Sequence, residues 1–247
     1  MDSVSSSSLA CPVEVIFQTA HNLGIGCKPV HIHAHATAVL KHRSIYQLLS
    51  RIQDHFKAAL LSGPFSQWPE SLGLAATRST EIVGQFADIA RREYLAVGIR
   101  VGLHPQIDLA TEPRWARQLQ TFGEDAELTG ELGAAYVRGF QGESFGPQSV
   151  STMTKHFPGG GPQKDGEDPH FAYGREQVYP GGEFELHLTP FEPVFAAGGR
   201  QIMPYYGMPV GTEYEEVGFG LNKGIITDLL RGRFGFDGIV CTDWGLI

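Results

Sequence analysis

Apolar residues recur at helical spacing in several segments of the chain. The clearest segment runs from Ser79 to Val97, with Ser79 or Thr80 as a plausible N-terminal cap and Gly98 as the residue that ends it. Further helices are predicted over 125–140, 183–197 and 221–233. The apolar positions that define the helix from Ser79 to Val97 are Ile82, Val83, Phe86, Ile89, Ala90 and Tyr94.

Short apolar runs typical of strands alternate with these helices. They cover 99–103, 150–156, 201–205 and 238–242, and a long loop rich in Gly and Pro follows the second run and extends to about residue 182. Strands separated by helices of this length indicate βαβ units and a parallel sheet. The fold class is therefore α/β. The polar and glycine-rich clusters follow the strands, at the end where such folds build their sites.

The first 70 residues predict less. Segments 12–17 and 28–33 could be strands, and 44–61 could be a helix. The count is then about six strands, whereas a closed (β/α)8 barrel needs eight, and the chain stops directly after its last strand. The expectation is a barrel-type fold that is incomplete.

Composition and charge exclude several classes of function. The chain has 247 residues, of which 42% are hydrophobic, and its net charge of −8 disfavours a nucleic-acid partner. No apolar run is long enough to span a membrane. The first residues lack the pattern of a signal peptide, so the chain as written would stay inside the cell, and its localisation is left as unknown. Three cysteines without metal-type spacing indicate neither a disulfide framework nor a zinc knuckle.

Four polar segments carry the candidate chemistry, one after each predicted strand of the second part of the chain. Arginine, lysine and histidine side chains can donate hydrogen bonds to hydroxyl groups, and aromatic faces can stack on a sugar ring. A carboxylate at the end of a buried strand would be held rigidly beside such a ligand, and the positive charges of Lys155 and Arg117 would favour its ionised form. The segments are 104–117 with 121–125, 155–161, 203–206 and 242–245.

These segments resemble the conserved blocks of glycoside hydrolase family 3. The stretch 113–117 (PRWAR) with 122–125 (FGED) is similar to the Pro-Arg-Trp-Gly-Arg block and the acidic stretch that follows it in the family. The stretch 155–157 (KHF) is similar to its Lys-His-Phe block, and 242–244 (TDW) to its nucleophile block. The blocks occur in the family's order. The resemblance covers residues 64–247 and leaves 1–63 as a divergent N-terminal segment.

The resemblance implies a retaining β-glycosidase of the β-glucosidase type with a (β/α)8 catalytic domain. It would act on terminal non-reducing β-D-glucosyl or related residues, with a carbohydrate as its partner and no cofactor. Asp243 would be the nucleophile that forms the glycosyl-enzyme intermediate. Sugar hydroxyls would be bound by Arg117, Lys155 and His156, with Tyr206 near the nucleophile and Trp244 in the wall of the site.

Retention also requires a proton donor. Two-domain members of the family take it from a C-terminal domain that this chain lacks, whereas single-domain N-acetylglucosaminidases use an Asp-x-His pair in the loop after Lys-His-Phe-Pro-Gly. Asp168 and His170 form such a pair here, about two residues later than that pattern places it. The alternative is an inactive fragment without an acid/base. An early sugar-binding aspartate of the family is also not found before residue 65.

A third hypothesis concerns a metal. His31, His33 and His35 alternate, so in a strand their three imidazoles would share one face and could converge on one ion. This would make the protein a metal-dependent hydrolase. No later set of His and Asp ligands completes such a site.

Overall fold

Four parallel strands form the sheet that organises the molecule. The computed structural model describes residues 65–244, all within one compact unit. The strands are β1 (Val101–Gly102), β2 (Ser151–Phe157), β3 (Glu176–Val178), β4 (Gln201–Pro204), β5 (Met208–Val210) and β6 (Ile239–Val240). The main sheet has the order β1-β2-β4-β6, and β3 pairs in parallel with β5 in a separate two-stranded sheet.

Helices connect these strands. A π-helix spans Gly224–Arg233 between β5 and β6. Parallel neighbours that follow one another in sequence with helices between them are the arrangement of a barrel of βα units. The helices are α1 (Ser71–Ala75), α2 (Thr80–Ala96), α3 (Ala126–Gln141), α4 (Phe184–Leu188) and α5 (Phe191–Ala196).

The two long helices begin and end where the sequence predicts. The Ser79 side chain accepts a hydrogen bond from Ile82 N (3.2 Å), and the Asp125 side chain accepts one from Leu128 N (3.0 Å). Each cap satisfies a backbone N–H that the helix itself cannot pair. At the other end of α3, Gly142 has φ 77°, a left-handed conformation that glycine adopts without strain.

Helices α2 and α3 pack closely against each other, and α3 also packs on α5. Gly139 permits the first approach, because a Cβ atom there would lie 2.5 Å from the Ala87 Cβ atom. The buried apolar side chains between these helices and the sheet form one continuous core. Its largest members are Phe86, Phe122, Tyr136, Phe140, Phe157, Phe191, Tyr205 and Phe219.

Four of the six predicted strands are confirmed, as β1, β2, β4 and β6. The other two, at 12–17 and 28–33, lie outside the described residues, as do the helix at 44–61 and the histidines His31, His33 and His35. The predicted uninterrupted loop up to residue 182 is wrong, because it contains β3.

The prediction of one continuous helix over 183–197 is also wrong. The structure has α4 and α5 instead, and α5 is preceded by Pro190. A proline inside a helix removes one backbone donor and collides with the preceding turn, so the chain starts a second helix there.

Candidate active site

A cavity of about 330 Å³ lies where the carboxyl ends of the four main strands meet. Each strand contributes to its wall, as expected for the polar segments that follow parallel strands. The lining consists of Leu103, His104 and Gln106 after β1, Lys155 and His156 in β2, Met203 in β4, Asp243 and Trp244 after β6, and Glu70, Ser71, Arg117, Gln120, Tyr136 and His170 from other segments.

Asp243 presents a carboxylate to this cavity and is 5% exposed. Its Oδ1 atom accepts a hydrogen bond from Trp244 N (2.8 Å), whereas no donor within residues 65–244 lies at hydrogen-bond distance from its Oδ2 atom. The position is set by β6, whose Ile239 pairs with Gln201 of β4. One carboxylate oxygen is thus held by the backbone and the other remains available to a ligand.

His156 faces that oxygen. Its Nε2 atom lies 3.8 Å from Asp243 Oδ2, and its ring packs against Tyr205 at 4.5 Å between centroids. It belongs to β2, where the register against β4 shifts between Lys155 and Phe157, and the Lys155–His156 peptide bond is cis. The shift turns the imidazole of an interior strand position toward the cavity.

Asp108 contacts the Nδ1 side of the His156 ring, opposite the side that faces Asp243. The sequence did not predict a role for Asp108. Its carboxylate is fully buried and accepts hydrogen bonds from His156 Nδ1 (2.7 Å), His156 N (3.1 Å) and Gly160 N (2.5 Å). A Cβ atom on Gly160 would come within 2.8 Å of the Tyr205 ring, which explains why glycine stands at this point of close approach. Asp108 therefore joins the 104–110 segment to the end of β2.

The protonation of the Asp108–His156 pair follows from its surroundings. Burial lowers the pKa of His156 to about 4; the Asp108 charge opposes this effect, and the charges of Arg117 and Lys155 add to it. Burial by itself would raise the pKa of Asp108, but His156 and the N–H groups of His156 and Gly160 outweigh it and hold the pKa below its usual value. Near pH 7 the pair is a carboxylate beside a neutral imidazole.

Arg117 links three polar side chains of the cavity wall. Its guanidinium donates to Gln106 Oε1 (2.9 Å) and Gln120 Oε1 (3.0 Å), and its Nη1 atom lies 3.3 Å from His156 Nε2. Gln106 is a second residue whose role the sequence did not predict. Because Arg117 can only donate, the Gln106 amide nitrogen points away from it, and no described protein group accepts from that buried nitrogen.

Lys155 lines the cavity beside His156 and is half-buried. Its backbone is fixed from both directions, because Lys155 N donates to Pro105 O (3.0 Å) and Lys155 O accepts from Ile107 N (2.8 Å). The segment after β1 and the end of β2 therefore form one hydrogen-bonded unit under the cavity.

The Asp168–His170 pair is present at the cavity rim. Asp168 Oδ1 lies 2.6 Å from His170 Nδ1 and also accepts from His170 N (3.0 Å). The His170 ring packs against Tyr206 at 4.7 Å, and the Tyr206 hydroxyl donates to Trp244 O. Burial and the nearby Asp243 carboxylate raise the pKa of Tyr206, which therefore stays a neutral donor. Six of the eight predicted site residues line the cavity, and the other two, Asp168 and Tyr206, contact His170 at its rim.

Residues 65–244 offer no group of three or more His, Cys, Asp or Glu side chains arranged to hold a metal ion. In the same part of the chain, no helix has the length and apolar character needed to cross a membrane.

Comparisons with known proteins identify relatives of the whole described region. The sequence profile of the Glycosyl hydrolase family 3 N terminal domain matches residues 34–247. Beta-glucosidase C of Emericella nidulans is 63% identical over 187 residues, which are 75% of this chain and 30% of that protein. The periplasmic beta-glucosidase/beta-xylosidase of Dickeya chrysanthemi is 47% identical over 202 residues, which are 79% of this chain and 31% of that protein.

Solved structures show the same fold. A glycoside hydrolase family 3 beta-N-acetylglucosaminidase from a Paenibacillus species matches with a TM-score of 0.65 and 31% identity, over 72% of this chain and 33% of that one. A beta-glucosidase from Listeria innocua in complex with glucose matches with a TM-score of 0.62 and 26% identity, over 78% and 28%. The predicted barrel-type fold is confirmed. The chain spans about a third of the length of the curated relatives it matches.

Proposed function

Because the chain belongs to glycosyl hydrolase family 3, we propose that it carries the nucleophile and sugar-binding wall of a retaining β-glycosidase. The substrates would be terminal non-reducing β-D-glucosyl or related residues. The observation that carries the proposal is the Asp243 carboxylate, which is buried at the cavity wall with its Oδ2 atom unpaired among the described residues. A carboxylate held in this way is suited to attack an electrophilic carbon.

The reaction proceeds in two displacements. Asp243 Oδ2 bonds to the anomeric carbon as the bond from that carbon to the leaving-group oxygen breaks, and the oxygen takes a proton from an acid. Water then attacks the same carbon, gives its proton to the conjugate base and releases Asp243. The sugar leaves with the configuration it had at the start.

The cavity wall supplies the binding groups. Arg117 and Lys155 donate hydrogen bonds to hydroxyls, and His156 accepts one at Nε2. Gln106 adds an amide donor, with its nitrogen unpaired by protein groups. Half of the Trp244 side chain is exposed at the cavity, where its ring offers a face for stacking on the sugar, and Tyr206 fixes the Trp244 backbone.

We assign the proton donor to His170, oriented by Asp168. The support is the 2.6 Å contact within the pair and the place of His170 in the cavity lining. An imidazolium held by a carboxylate can act as a general acid, and the neutral ring that it leaves can act as the general base for water. The competing hypothesis is that these 247 residues contain no acid/base, which would make the chain inactive by itself.

Trapping the covalent intermediate tests the nucleophile. The full chain is incubated with an activated 2-deoxy-2-fluoro-β-glucoside, which forms the intermediate faster than water releases it. We expect the mass of the protein to rise by one fluoro-sugar on the peptide that contains Asp243, and no rise in Asp243→Ala. Asp237→Asn, an exposed change after the π-helix, is the matched control. A folded chain that neither labels nor hydrolyses the activated glucoside would refute the proposal.

Leaving-group dependence tests the acid. His170→Gln should slow hydrolysis of an alkyl β-glucoside much more than hydrolysis of an aryl glucoside with a highly acidic phenol, because the latter needs little protonation. Equal slowing of the two substrates would remove His170 from the role of proton donor and leave the assignment of Asp243 intact.

A further inference from the structure

One imidazole and two carboxylates stand in line at the cavity, with His156 between Asp108 and Asp243. Asp108 Oδ2 lies 2.7 Å from His156 Nδ1, and the other side of the same ring faces Asp243 Oδ2 at 3.8 Å. Both carboxylates and the ring are at least 95% buried. The position of a single proton on this ring therefore decides what the cavity offers to a ligand.

Asp108 requires that proton on Nδ1. An ionised carboxylate only accepts hydrogen bonds, so the nitrogen at 2.7 Å must donate. The other carboxylate oxygen, Oδ1, is occupied by two backbone donors, His156 N (3.1 Å) and Gly160 N (2.5 Å). The carboxylate cannot rotate to present a different atom without losing both backbone bonds.

Arg117 favours the same tautomer from the opposite side of the ring. Its Nη1 atom lies 3.3 Å from His156 Nε2, and a guanidinium has donors but no acceptor. The nitrogen at this distance must therefore carry the lone pair. Two neighbours with opposite hydrogen-bonding properties, on different segments of the chain, specify one tautomer.

The tautomer determines how His156 meets Asp243. With a lone pair on Nε2, the two atoms 3.8 Å apart are both acceptors and form no hydrogen bond with each other. With a proton on Nε2, His156 would direct a donor toward Asp243 Oδ2, and a movement of less than an ångström from the present 3.8 Å would form a hydrogen bond. That bond would stabilise the charge on the carboxylate and reduce its tendency to attack a carbon atom.

We propose that Asp108 is a positioning residue that holds His156 as the Nδ1–H tautomer. This keeps His156 from donating to Asp243 Oδ2 and leaves on His156 Nε2 a lone pair that Arg117 Nη1 faces at 3.3 Å and for which a ligand hydroxyl would compete as a donor. The part of the inference that concerns attack by Asp243 rests on the proposed function. The tautomer itself does not.

Asp108→Asn is the informative substitution, because it keeps the shape and exchanges one acceptor for a donor. The two backbone N–H groups select the amide oxygen for the Oδ1 position, which leaves the NH2 group facing His156 Nδ1. Donors then face both ring nitrogens, and the NH2 group at the 2.7 Å position outweighs Arg117 Nη1 at 3.3 Å, so the proton moves to Nε2. In the Ser-His-Asp triad, which is a worked case of this logic, the same exchange leaves the geometry intact and produces the wrong tautomer.

The test is nitrogen NMR of the imidazoles in the full chain, labelled with ¹⁵N-histidine. Long-range proton–nitrogen correlations distinguish the protonated nitrogen from the one with the lone pair, and the His156 signals are identified by their loss in His156→Gln. We expect a proton on Nδ1 in the wild type and in the exposed control Asp237→Asn, and on Nε2 in Asp108→Asn. A wild-type proton on Nε2, or an unchanged tautomer in folded Asp108→Asn, overturns the proposal. If Asp108→Asn does not fold, the wild-type spectrum alone decides.

Kinetics separates this inference from the proposed function. Asp108→Asn should lower the rate of labelling by the fluoro-sugar by about tenfold or more, the effect of one unfavourable hydrogen bond on the attacking group. An unchanged labelling rate in a variant with the reversed tautomer overturns the link to Asp243. A wild-type chain with the Nδ1–H tautomer that never labels contradicts the proposed function and supports the role of Asp108 in fixing the ring.

Discussion

The backbone contact between Gly161 and Leu109 allows a sharp test of the geometry under the cavity. A Cβ atom on Gly161 would lie 1.7 Å from Leu109 O and 2.8 Å from Leu109 C. The obstacle is backbone, and it belongs to the segment that carries Asp108. In Gly161→Ala, two segments of main chain must therefore separate by more than an ångström, with the hydrogen bonds to Asp108 at the centre of the movement.

The size of the effect follows from the cost of inserting a methyl group where the surroundings cannot yield. Overpacking of this kind costs about 1–3 kcal/mol, and a clash with backbone places Gly161→Ala at the upper end. For a chain of this size, a loss of about 3 kcal/mol corresponds to a fall in Tm of roughly 6–12 °C.

The matched control is Gly84→Ala in the interior of α2. A Cβ atom there meets nothing within 4 Å, and alanine is the better helix former, so this variant should be more stable than the wild type by about 0.5–1 kcal/mol. Thermal and urea unfolding of the three proteins measures both effects. Unfolding of Gly161→Ala within about 0.5 kcal/mol of the wild type would refute the close approach.

Three further predictions concern pH, capping and the cavity wall. Burial lowers the pKa of His156 and His187 to about 4, below the unfolded value of about 6.5, so their contribution to stability is complete above pH 6.5 and is lost as the pH falls toward 4. Between pH 7 and pH 5, the free energy of unfolding measured with urea should fall by up to about 1.4 kcal/mol per pH unit for each histidine, and a flat profile would contradict this. Asp125→Ala removes the bond from Leu128 N and should cost about 1 kcal/mol in urea unfolding, whereas no loss would mean that the cap is not formed. Arg117→Lys keeps the charge but cannot hold its three partners together, so the Kd for glucose measured by calorimetry should rise about tenfold or more, and an unchanged Kd would argue against a role in binding.

The sequence predicts the two long helices and the strand ends well, for reasons that are local. Ser79 and Asp125 begin α2 and α3 because capping involves residues only three positions apart. The placement of polar groups after β1, β2, β4 and β6 is equally predictable. Parallel strands bring their carboxyl ends to one edge, whatever side chains they carry.

The parts that the sequence does not reveal depend on contacts between distant residues. Strands β3 and β5 are only three residues long, and neither resembles a typical strand, because β3 contains the polar Gln177 and Pro209 in β5 lacks a backbone donor. Asp108 lies in a segment whose pattern does not mark it as buried, and its partner His156 is 48 residues away. Only the register between β2 and the segment after β1 brings the two together.

Two buried atoms of the cavity wall have no hydrogen-bond partner among residues 65–244, and at these positions stability and function conflict. Asp243 Oδ2 and Gln106 Nε2 are both buried, and a buried polar group without a partner costs about 1–3 kcal/mol. A laboratory-evolution campaign that screened only for heat tolerance would therefore enrich replacements at these two positions and would lose the site without any warning from the melting curves. A screen on this scaffold should pair each heat challenge with a measurement of ligand retention, because here the destabilised groups are the useful ones.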